Sequence, residues 1–431
     1  MKKRGILSVL LLSLLLSGCV EKTAEPLPPP IPTIEGQSID ADCRALTLQG
    51  SAGLEELRNV LTLCPQIGRV SLDTLPYTLK EMAALQESFP EVDLVYPLSY
   101  GGMDFRSDER ALDFSGQKLN AALLTELLPL SKAERVELGR NVPTLEEAEA
   151  LHERCPEILF RYDTELYGRS LSTEVTEIDL SGTTILDLTA LERELVRFPK
   201  LKRLELTDCG LEDEALDALN RRHETIQVVW TVQVYNYAVP TDQDYFIQYN
   251  AVMRYPYSNG SCINLRYCPE LIAADLGHLF VHQEDIEFLR STPHMRYLVA
   301  IDGLYTDISA FGTLQELEYL EMFSSQVTDL SPLLQCKKLE HLNISRCTRL
   351  DERCIDVLCQ MKQLKRLWFI GNYLSPKYEQ VLKDALPDTE IHFIPYRNGF
   401  APYSMDFDWR KDESYYAIRD ALHMYYMDNQ K

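Results

Sequence analysis

The stretch VTDLSPL, residues 327–333, indicates the fold because close copies of it recur at a fixed distance. Three copies place an aspartate at Asp285, Asp307 and Asp329, in steps of 22 residues. Apolar runs such as LEYLEMF and MRYLVAI precede the copies. A step of 22 residues is too short for a strand-helix-strand unit and fits one strand with a compact return path. The copies are YTDISAF (305–311), QEDIEFL (283–289) and ILDLTAL (185–191).

The apolar runs predict parallel strands with alternate side chains pointing inward. A period of 20 to 29 residues with this pattern is typical of leucine-rich repeats. The sequence therefore predicts an α/β leucine-rich repeat solenoid, with a curved parallel sheet on the concave side and helices and short turns on the convex side. The inward pairs predicted for the C-terminal half are Ala274/Leu276, Leu298/Ala300, Leu320/Met322, Leu342/Ile344 and Leu367/Phe369.

The N-terminal half repeats with a longer period. RALTLQG, RALDFSG and EIDLSG place Leu46, Leu112 and Ile178 at intervals of 66 residues. Helical patterns such as LEEAEALHERC (145–155) lie between the strands. Three consecutive periods, each made of three coils, explain this spacing. The other two predicted inward series are Val70, Val136 and Leu204, and Val92, Ile158 and Ile226.

The domain organisation predicted from these patterns has six parts. A tyrosine-rich segment without repeat register separates the two repeat arms, and we expect it to bridge them; it could instead cap the first arm. A C-terminal cap would shield the last apolar coil from water. The parts are 1–18, signal peptide; 19–42, proline-rich stem; 43–230, N-terminal arm; 231–262, bridge; 263–396, C-terminal arm; and 397–431, cap.

The N-terminus predicts export and lipid attachment. A basic start precedes the apolar run ILSVLLLSLLL, which is too short for a membrane span. Leu16-Ser17-Gly18 then leads to Cys19, as in a lipobox, where the cysteine thiol receives diacylglycerol. An ordinary signal peptide is the alternative. We expect an extracytoplasmic protein, lipid-anchored to the outer face of the cell membrane.

The charge of the chain disfavours one class of partner. The sequence has 43 basic and 66 acidic residues, a formal net charge of −23. Removal of the signal peptide takes Lys2, Lys3 and Arg4 with it and leaves about −26. A surface this acidic repels phosphate backbones, so nucleic acid is not expected as a partner. The charge could also serve solubility alone.

The cysteines follow the repeat more than they suggest a disulfide framework. Cys64, Cys155 and Cys268 each precede a proline, a slot that holds Phe89 and Phe198 elsewhere. This exchange predicts free, buried thiols. Cys209 and Cys347 fall at the ladder position of the repeat, while a bridge among the remaining five stays open. The five are Cys43, Cys262, Cys336, Cys354 and Cys359. The sequence contains no CxxC, zinc-spaced Cys/His cluster or HExxH, so no metal or other cofactor is expected.

Several stretches together resemble the exported leucine-rich repeat proteins of gut Firmicutes. This resemblance implies a curved parallel-sheet solenoid on the surface of a Gram-positive anaerobe, and it implies no particular activity. The sequence departs from the repeat where the ladder asparagine is replaced, at Gly303, Ser325 and Cys347. The stretches are LRYCPELIAADLGH, ELEYLEMF, LEHLNIS, LKRLWF, VVWTVQVYNYAVPTD and WRKDESYYAIRDAL.

The strand register also predicts which side chains line the concave face. Tyr297, Tyr319, His341 and Arg366 form one row, and Ile301, Phe323, Ser345 and Ile370 form a second. Aromatic and arginine side chains exposed together are typical of binding hot spots. The alternatives are a face that covers itself and a seat for the C-terminal cap. The predicted ligand-binding residues are Tyr297, Tyr319, Phe323, His341, Arg366 and Trp368.

Three classes of function remain open. A lipid-anchored binding module would contact a protein or peptide through the concave face. A structural, envelope-organising protein would use the same fold without a discrete ligand. An enzyme would need a polar pocket, and His278 and His282 have no accompanying nucleophile or phosphate loop. The sequence therefore offers no catalytic residues, and we do not expect an enzyme.

Overall fold

The computed structural model describes residues 32–40, 42–247, 261–277 and 279–396. The chain divides into two compact units between Phe160 and Arg161. Within the described ranges, no helix combines the length and apolar character that crossing a bilayer requires. Cys19, His278 and the predicted cap 397–431 lie outside these ranges.

The first unit alternates short strands with helices of two to three turns. Its helices begin at capping residues: the Thr78 and Thr144 side chains each accept a hydrogen bond from the amide of the third helical residue, and a glutamate at that residue binds back to the threonine amide. The elements are β1 (Thr33–Ile34), β2 (Gln37–Ser38), β3 (Ala45–Leu48), α1 (Leu54–Leu63), β4 (Arg69–Leu72), α2 (Leu79–Ser88), β5 (Asp93–Val95), β6 (Pro97–Tyr100), β7 (Met103–Arg106), β8 (Ala111–Asp113), α3 (Ala121–Leu127), β9 (Arg135–Gly139) and α4 (Leu145–Arg154). Strand β10 (Leu159–Leu166) contains the division between the units.

The second unit starts with the same alternation and then changes. After β16, short 3₁₀ segments replace most of the helices between strands. The elements are β11 (Arg169–Ser172), β12 (Glu177–Asp179), α5 (Leu188–Glu194), β13 (Arg203–Glu205), α6 (Asp213–Arg222), β14 (Gln227–Val229), β15 (Thr231–Val234), β16 (Tyr237–Pro240), β17 (Tyr245–Ile247), β18 (Ala273–Asp275), β19 (Tyr297–Val299), β20 (Tyr319–Glu321), β21 (His341–Asn343), α7 (Arg353–Leu358), β22 (Arg366–Asn372), α8 (Lys377–Ala385) and β23 (Glu390–Pro395).

Parallel pairing places the strands in the register that the repeats predict. In the first unit Leu46 pairs with Val70 and Val70 with Leu94. In the second unit β17 to β23 form one parallel sheet in chain order, which we call the C-terminal sheet. Its neighbours Leu298, Leu320, Leu342 and Leu367 are fully buried. This coil-by-coil stacking is a leucine-rich repeat solenoid, so the predicted fold class is confirmed.

Antiparallel hairpins close each of the three long periods of the N-terminal half, and one more precedes the first period; the sequence patterns were not used to predict them. They are β1–β2, β6–β7, β10–β11 and β15–β16. Their turns contain residues with positive φ, which glycine adopts without a steric penalty. The turn positions Gly36, Gly102 and Gly168 are spaced by 66 residues, and Asn236 follows after 68. We call each period of strands, helices and closing hairpin (44–106, 110–172 and 177–240) a super-repeat.

Three sequence expectations need correction. Val92, Ile158 and Ile226 do not lie on strands, because each closes the turn after a helix; the Val92 amide, for example, donates to the Phe89 carbonyl. The strand positions lie two residues later, at Leu94, Phe160 and Val228. The predicted stem is also shorter than expected, since residues 33–38 form the first hairpin. Repeat register continues through 231–247, where β15, β16 and β17 form.

Hydroxyl and thiol groups replace the ladder asparagine in the core. Cys347 Sγ donates to the Met322 carbonyl over 3.1 Å, and Tyr305 Oη donates to the Ala300 carbonyl over 2.6 Å. Burial raises the pKa of the Cys347 thiol to about 12. The predicted burial of Cys64, Cys155 and Cys268 is confirmed. All ten described cysteines are free thiols.

Candidate functional site

The outward face of the C-terminal sheet carries the predicted ligand-binding residues. We define it by the strand side chains that point away from the coil core, in two rows set by the pairing register, together with Phe323, which packs against them. The first row is Tyr245, Ala273, Tyr297, Tyr319, His341, Arg366 and Glu390. The second row is Ile247, Asp275, Val299, Glu321, Asn343, Trp368 and His392.

Ring side chains stack across neighbouring strands of this face. The ring centroid of His341 lies 6.3 Å from that of Tyr319 and 6.5 Å from that of Trp368. Trp368 in turn stacks on His392 at 6.4 Å with an interplanar angle of 11°. Parallel strands lie 4.7 to 4.9 Å apart, so consecutive rings reach each other with little side-chain adjustment. The result is a continuous band of rings over four strands.

An apolar cluster separate from the coil core surrounds part of this band. Tyr319 and Trp368 belong to it and are 1% and 2% exposed. Tyr245, Tyr297 and Phe323 pack against it and are partly buried. The other buried members are Ile247, Ala273, Val299 and Ile301. This face is therefore a second hydrophobic layer on the opposite side of the sheet from the coil core.

Two carboxylates are buried within the same face. Glu321 is 3% exposed and accepts a hydrogen bond from Tyr319 Oη over 3.1 Å. Asp275 is 6% exposed and accepts one from the Gly277 amide over 2.8 Å. Asn343 is fully buried, and its Nδ2 has no hydrogen-bond partner among the described residues. Buried polar groups at such density require a polar environment, because an ionised group in a purely apolar layer is costly.

Ion pairs edge the face on the side where the strands begin. Arg296 pairs with Glu318 over 2.9 Å, and Lys365 pairs with Glu340 over 2.6 Å. The Arg296 guanidinium also lies 5.1 Å from the Tyr297 ring centroid. Desolvation, with the nearby Glu318 carboxylate, raises the pKa of the Tyr297 hydroxyl. This edge is solvated and charged, in contrast to the apolar centre.

The structure brings the six predicted residues together on one face, but not with the expected exposure. Tyr297, Phe323, His341 and Arg366 are partly exposed. Tyr319 and Trp368 are buried, so the expectation that they lie open to solvent is wrong. The physical reason is that alternation along a strand fixes the direction of a side chain and not what covers it. Glu321 and Asp275 were not among the predicted site residues, and an acidic residue on an otherwise apolar strand was the available signal.

Matched positions in the super-repeats have a different character. In β13, Arg203 and Glu205 point outward at the register of Tyr319 and Glu321, and both are partly exposed. Their side chains pair over 3.4 Å. On the edge strand β12 the outward Glu177 and Asp179 are exposed. Outward Val95 on β5 and Val229 on β14 are nevertheless buried, so the super-repeats combine charged, exposed outward positions with buried apolar ones.

The described residues offer little to metal or acid-base chemistry. No group of three or more His, Cys, Asp or Glu side chains among them could hold a metal ion. The amide of His282, one of the two histidines considered above, donates to Asp285 Oδ2 over 2.9 Å. This is a local turn interaction that fixes the start of the next 3₁₀ segment.

Comparison with known proteins gives structural neighbours only. No protein-family model matches the chain, and no curated protein matches it. An internalin of Listeria monocytogenes is similar at 13% identity and a TM-score of 0.26, covering 82% of this chain and 88% of that chain. A leucine-rich repeat protein of Leptospira interrogans is similar at 14% identity and a TM-score of 0.27, covering 82% of this chain and 90% of that chain.

A third similar structure is the functional domain of InlJ from Listeria monocytogenes, described as including a cysteine ladder. It has 12% identity and a TM-score of 0.26, and covers 84% of this chain and 65% of that chain. Scores this low carry no argument about function. The fold class follows instead from the parallel register and the repeat intervals described above.

Proposed function

We propose that this protein is anchored to the outer face of the cell membrane through Cys19 and recognises a protein or peptide through the outward face of the C-terminal sheet. The observation that carries the proposal is the band of stacked rings edged by ion pairs. The proposed ligand-binding residues are Tyr297, Tyr319, Phe323, His341, Arg366 and Trp368.

An apolar centre with a charged rim is the arrangement found in protein interfaces. Rigid aromatic rings and arginine provide most binding energy there, because they bury large areas at a small cost in side-chain entropy. Here Tyr297, Phe323, His341 and Arg366 offer the partly exposed groups that a partner would meet first. The net negative charge of the chain favours protein or peptide over nucleic acid as the partner.

Selection of peptides from a displayed library against the soluble chain from residue 20 tests the binding role. Selected peptides are titrated by fluorescence anisotropy against the wild type and Arg366→Ala. We expect the substitution to weaken binding by about 2 kcal/mol, about thirtyfold, with an unchanged melting temperature. Arg353→Ala on α7 is the matched control, because its side chain is 82% exposed and away from this face. Equal affinities for Arg366→Ala and the wild type would contradict the proposal.

Metabolic labelling with a palmitate analogue tests the anchor. Attachment of the acyl chains requires the thiol of Cys19 next to the cleavage point. The wild-type chain should take up the label, and Cys19→Ala should not. Label on the Cys19→Ala chain would show that the lipid is attached elsewhere, and an unlabelled wild type would show that the anchor is absent.

A structural, envelope-organising role is the second candidate. The ion-paired outward residues of the super-repeats favour it, since a face satisfied within the chain has less to offer a ligand. Arg69, for example, pairs with Asp93 over 2.6 Å and with Asp108 over 2.7 Å. A library selection that yields no peptide dependent on Arg366 would favour this role.

A further inference from the structure

Asn343 is the one amide side chain in the two rows of the outward face of the C-terminal sheet. Its Cα partners on the neighbouring strands are Glu321 on β20 and Trp368 on β22. His341 lies two residues earlier on the same strand and on the same side of the sheet. Asn343 is fully buried among these neighbours. The hydrogen bonds that its amide makes therefore bear on what this part of the face can bind.

One half of the Asn343 side chain has a structural task. Its Oδ1 accepts a hydrogen bond from the Ser345 amide over 3.0 Å. This contact fixes which end of the side-chain amide is the oxygen, and it leaves the NH2 group to face other partners. In the described part of the chain, Asn343 Nδ2 has no hydrogen-bond partner. A buried N–H donor without an acceptor is unfavourable, because it loses its bonds to water and gains none.

Aspartates perform the same structural task elsewhere in the solenoid. On three other strands the outward residue that directly follows an inward apolar one accepts a hydrogen bond from the amide two residues later. An aspartate completes this contact with oxygen atoms alone, so the contact does not account for the NH2 group of Asn343. The three pairs are Asp113 with Ser115 over 2.9 Å, Asp179 with Ser181 over 2.8 Å, and Asp275 with Gly277 over 2.8 Å.

We propose that Asn343 and Glu321 recognise the primary carboxamide of an asparagine or glutamine side chain in the bound peptide, an inference that rests on the proposed function. Asn343 Nδ2 donates to the carboxamide oxygen, and the Glu321 carboxylate accepts from the carboxamide NH2. The two residues are Cα partners on strands about 4.8 Å apart, so one carboxamide can lie against both. A carboxylate has about four acceptor sites, so Glu321 can accept this bond beside the one from Tyr319 Oη.

This pair of groups discriminates against chemical relatives of a carboxamide. A carboxylate offers no donor to Glu321 and brings a like charge to it. An ammonium group offers no acceptor to Asn343 Nδ2. A trans main-chain amide points its N–H and C=O in opposite directions, so it does not reach both groups. Sites built to hydrogen-bond one ligand group reject analogues that lack it, because buried polar groups are then left unpaired.

The partly exposed neighbours of Asn343 give the ligand side chain a place to enter. His341 lies beside Asn343 on β21, and Phe323 follows the paired strand β20 and packs against the same face. Both side chains retain contact with solvent. A peptide side chain inserted between them would meet Asn343 and Glu321 at its tip.

A peptide series on the unchanged protein tests the preference. Peptides selected against the soluble chain from residue 20 should share an asparagine or glutamine. Replacing that residue by the corresponding acid or by leucine should weaken binding about tenfold or more, as measured by fluorescence anisotropy. Selected peptides without such a residue, or equal affinities for the carboxamide and leucine peptides, would overturn the inference.

Asn343→Asp is the matching change in the protein, because it keeps the acceptor for the Ser345 amide and removes the Nδ2 donor. It should weaken binding of the carboxamide peptide about tenfold and leave the affinity of the leucine peptide unchanged. Asp179→Asn is the matched control, since it alters the same kind of contact in the third super-repeat and should bind both peptides like the wild type. Equal losses of both peptides on Asn343→Asp would overturn the inference.

Propionamide separates this inference from the proposed function, because it carries a carboxamide and no other part of a peptide. In the soluble chain labelled with ¹⁵N-asparagine, propionamide should shift the Asn343 side-chain NH2 signal, and propionate should not. Asn343→Asp identifies that signal by its loss. The shift together with peptides that ignore Arg366→Ala would support the carboxamide site and contradict the proposed binding face. No shift together with peptides that depend on Arg366 would do the reverse.

Discussion

In β13 of the third super-repeat the outward pair is Arg203 and Glu205, and in β20 of the C-terminal sheet it is Tyr319 and Glu321. Both pairs hold the same place in a parallel register. The first is a partly exposed ion pair, and the second is a buried hydroxyl-carboxylate hydrogen bond. One backbone pattern therefore supports a solvated face in one region and an internal layer in the other. The outward direction of a strand side chain therefore does not by itself decide whether that side chain is buried.

Replacing Trp368 gives the largest expected effect. If the outward face is an internal layer, Trp368→Ala should lower the free energy of unfolding by about 3 to 5 kcal/mol, as large-to-small changes do in cores. Glu205→Ala, at the corresponding row of the super-repeats, should change it by less than about 0.5 kcal/mol. Hydrogen exchange of the β19 to β22 amides measures the loss of stability that Trp368→Ala causes in these strands. Similar costs for the two variants would remove the contrast between the faces.

Removal of a single tyrosine hydroxyl tests the same contrast between buried and exposed positions. Tyr319→Phe removes the donor to the buried Glu321 carboxylate and should cost about 1.5 to 3 kcal/mol. Tyr297→Phe removes a longer contact of 3.4 Å, to the partly exposed Glu318, and should cost about 0.5 kcal/mol or less. Chemical denaturation of both variants gives the values. A larger loss of unfolding free energy for Tyr297→Phe than for Tyr319→Phe would contradict the conclusion that Tyr319 makes the buried contact and Tyr297 the exposed one.

Acid should remove the stability that one carboxylate of the first hairpin contributes. Glu35 accepts hydrogen bonds from the amides of Gln49, Gly50 and Ser51, which lowers its pKa to about 2, with the Gln49 amide the main cause. A lowered folded-state pKa gives stability that is present above the unfolded pKa of about 4.3 and is lost as pH falls towards 2.

Glu35→Gln should therefore lose stability at neutral pH and show a flatter acid limb between about pH 4.5 and 2. Melting temperatures of the two chains across this range measure the difference. Glu55→Gln in the first turn of α1 is the control, and it should keep the wild-type acid limb. Parallel acid limbs for Glu35→Gln and the wild type would show that the amide contacts contribute no stability.

Thiol labelling of the native protein should distinguish buried from half-buried cysteines. Burial raises the pKa of Cys336 and of Cys354 to about 12, and both are almost fully buried. Iodoacetamide at pH 8 should label the half-buried Cys43 and Cys359 in the native protein and spare these two until denaturation. Mass spectrometry of each peptide gives the order. Rapid native labelling of Cys354 would show that the C-terminal coils open more readily than their burial indicates.

The sequence was sufficient for the coil register of the C-terminal half. Leu298, Leu320, Leu342 and Leu367 lie where the apolar runs predict them, because inward positions tolerate only apolar side chains. The third strand of each super-repeat was misplaced by two residues, since Val92 and Leu94 are both apolar and point the same way. Period-2 alternation cannot distinguish such neighbours without the hydrogen bond that closes the turn.

The hairpins could have been found from the sequence and were missed. Gly36, Gly102 and Gly168 recur at the same 66-residue interval as the strands, and turn glycines between alternating residues are a hairpin signal. The burial of side chains at the candidate site could not have been predicted from such a local sequence signal. Tyr319 and Trp368 are buried although they point away from the coil core, and no local pattern in β20 or β22 predicts that burial.

The recurring hairpin also bears on how such a chain can change in length. Within a super-repeat the inward residues Leu46, Val70 and Leu94 are 24 residues apart, and the hairpin connection to Leu112 takes 18. Every period therefore starts and finishes with the same local junction. Duplication or loss of one 66-residue block would join identical ends, so gene-level recombination can alter the copy number of the blocks without inventing a new packing interface.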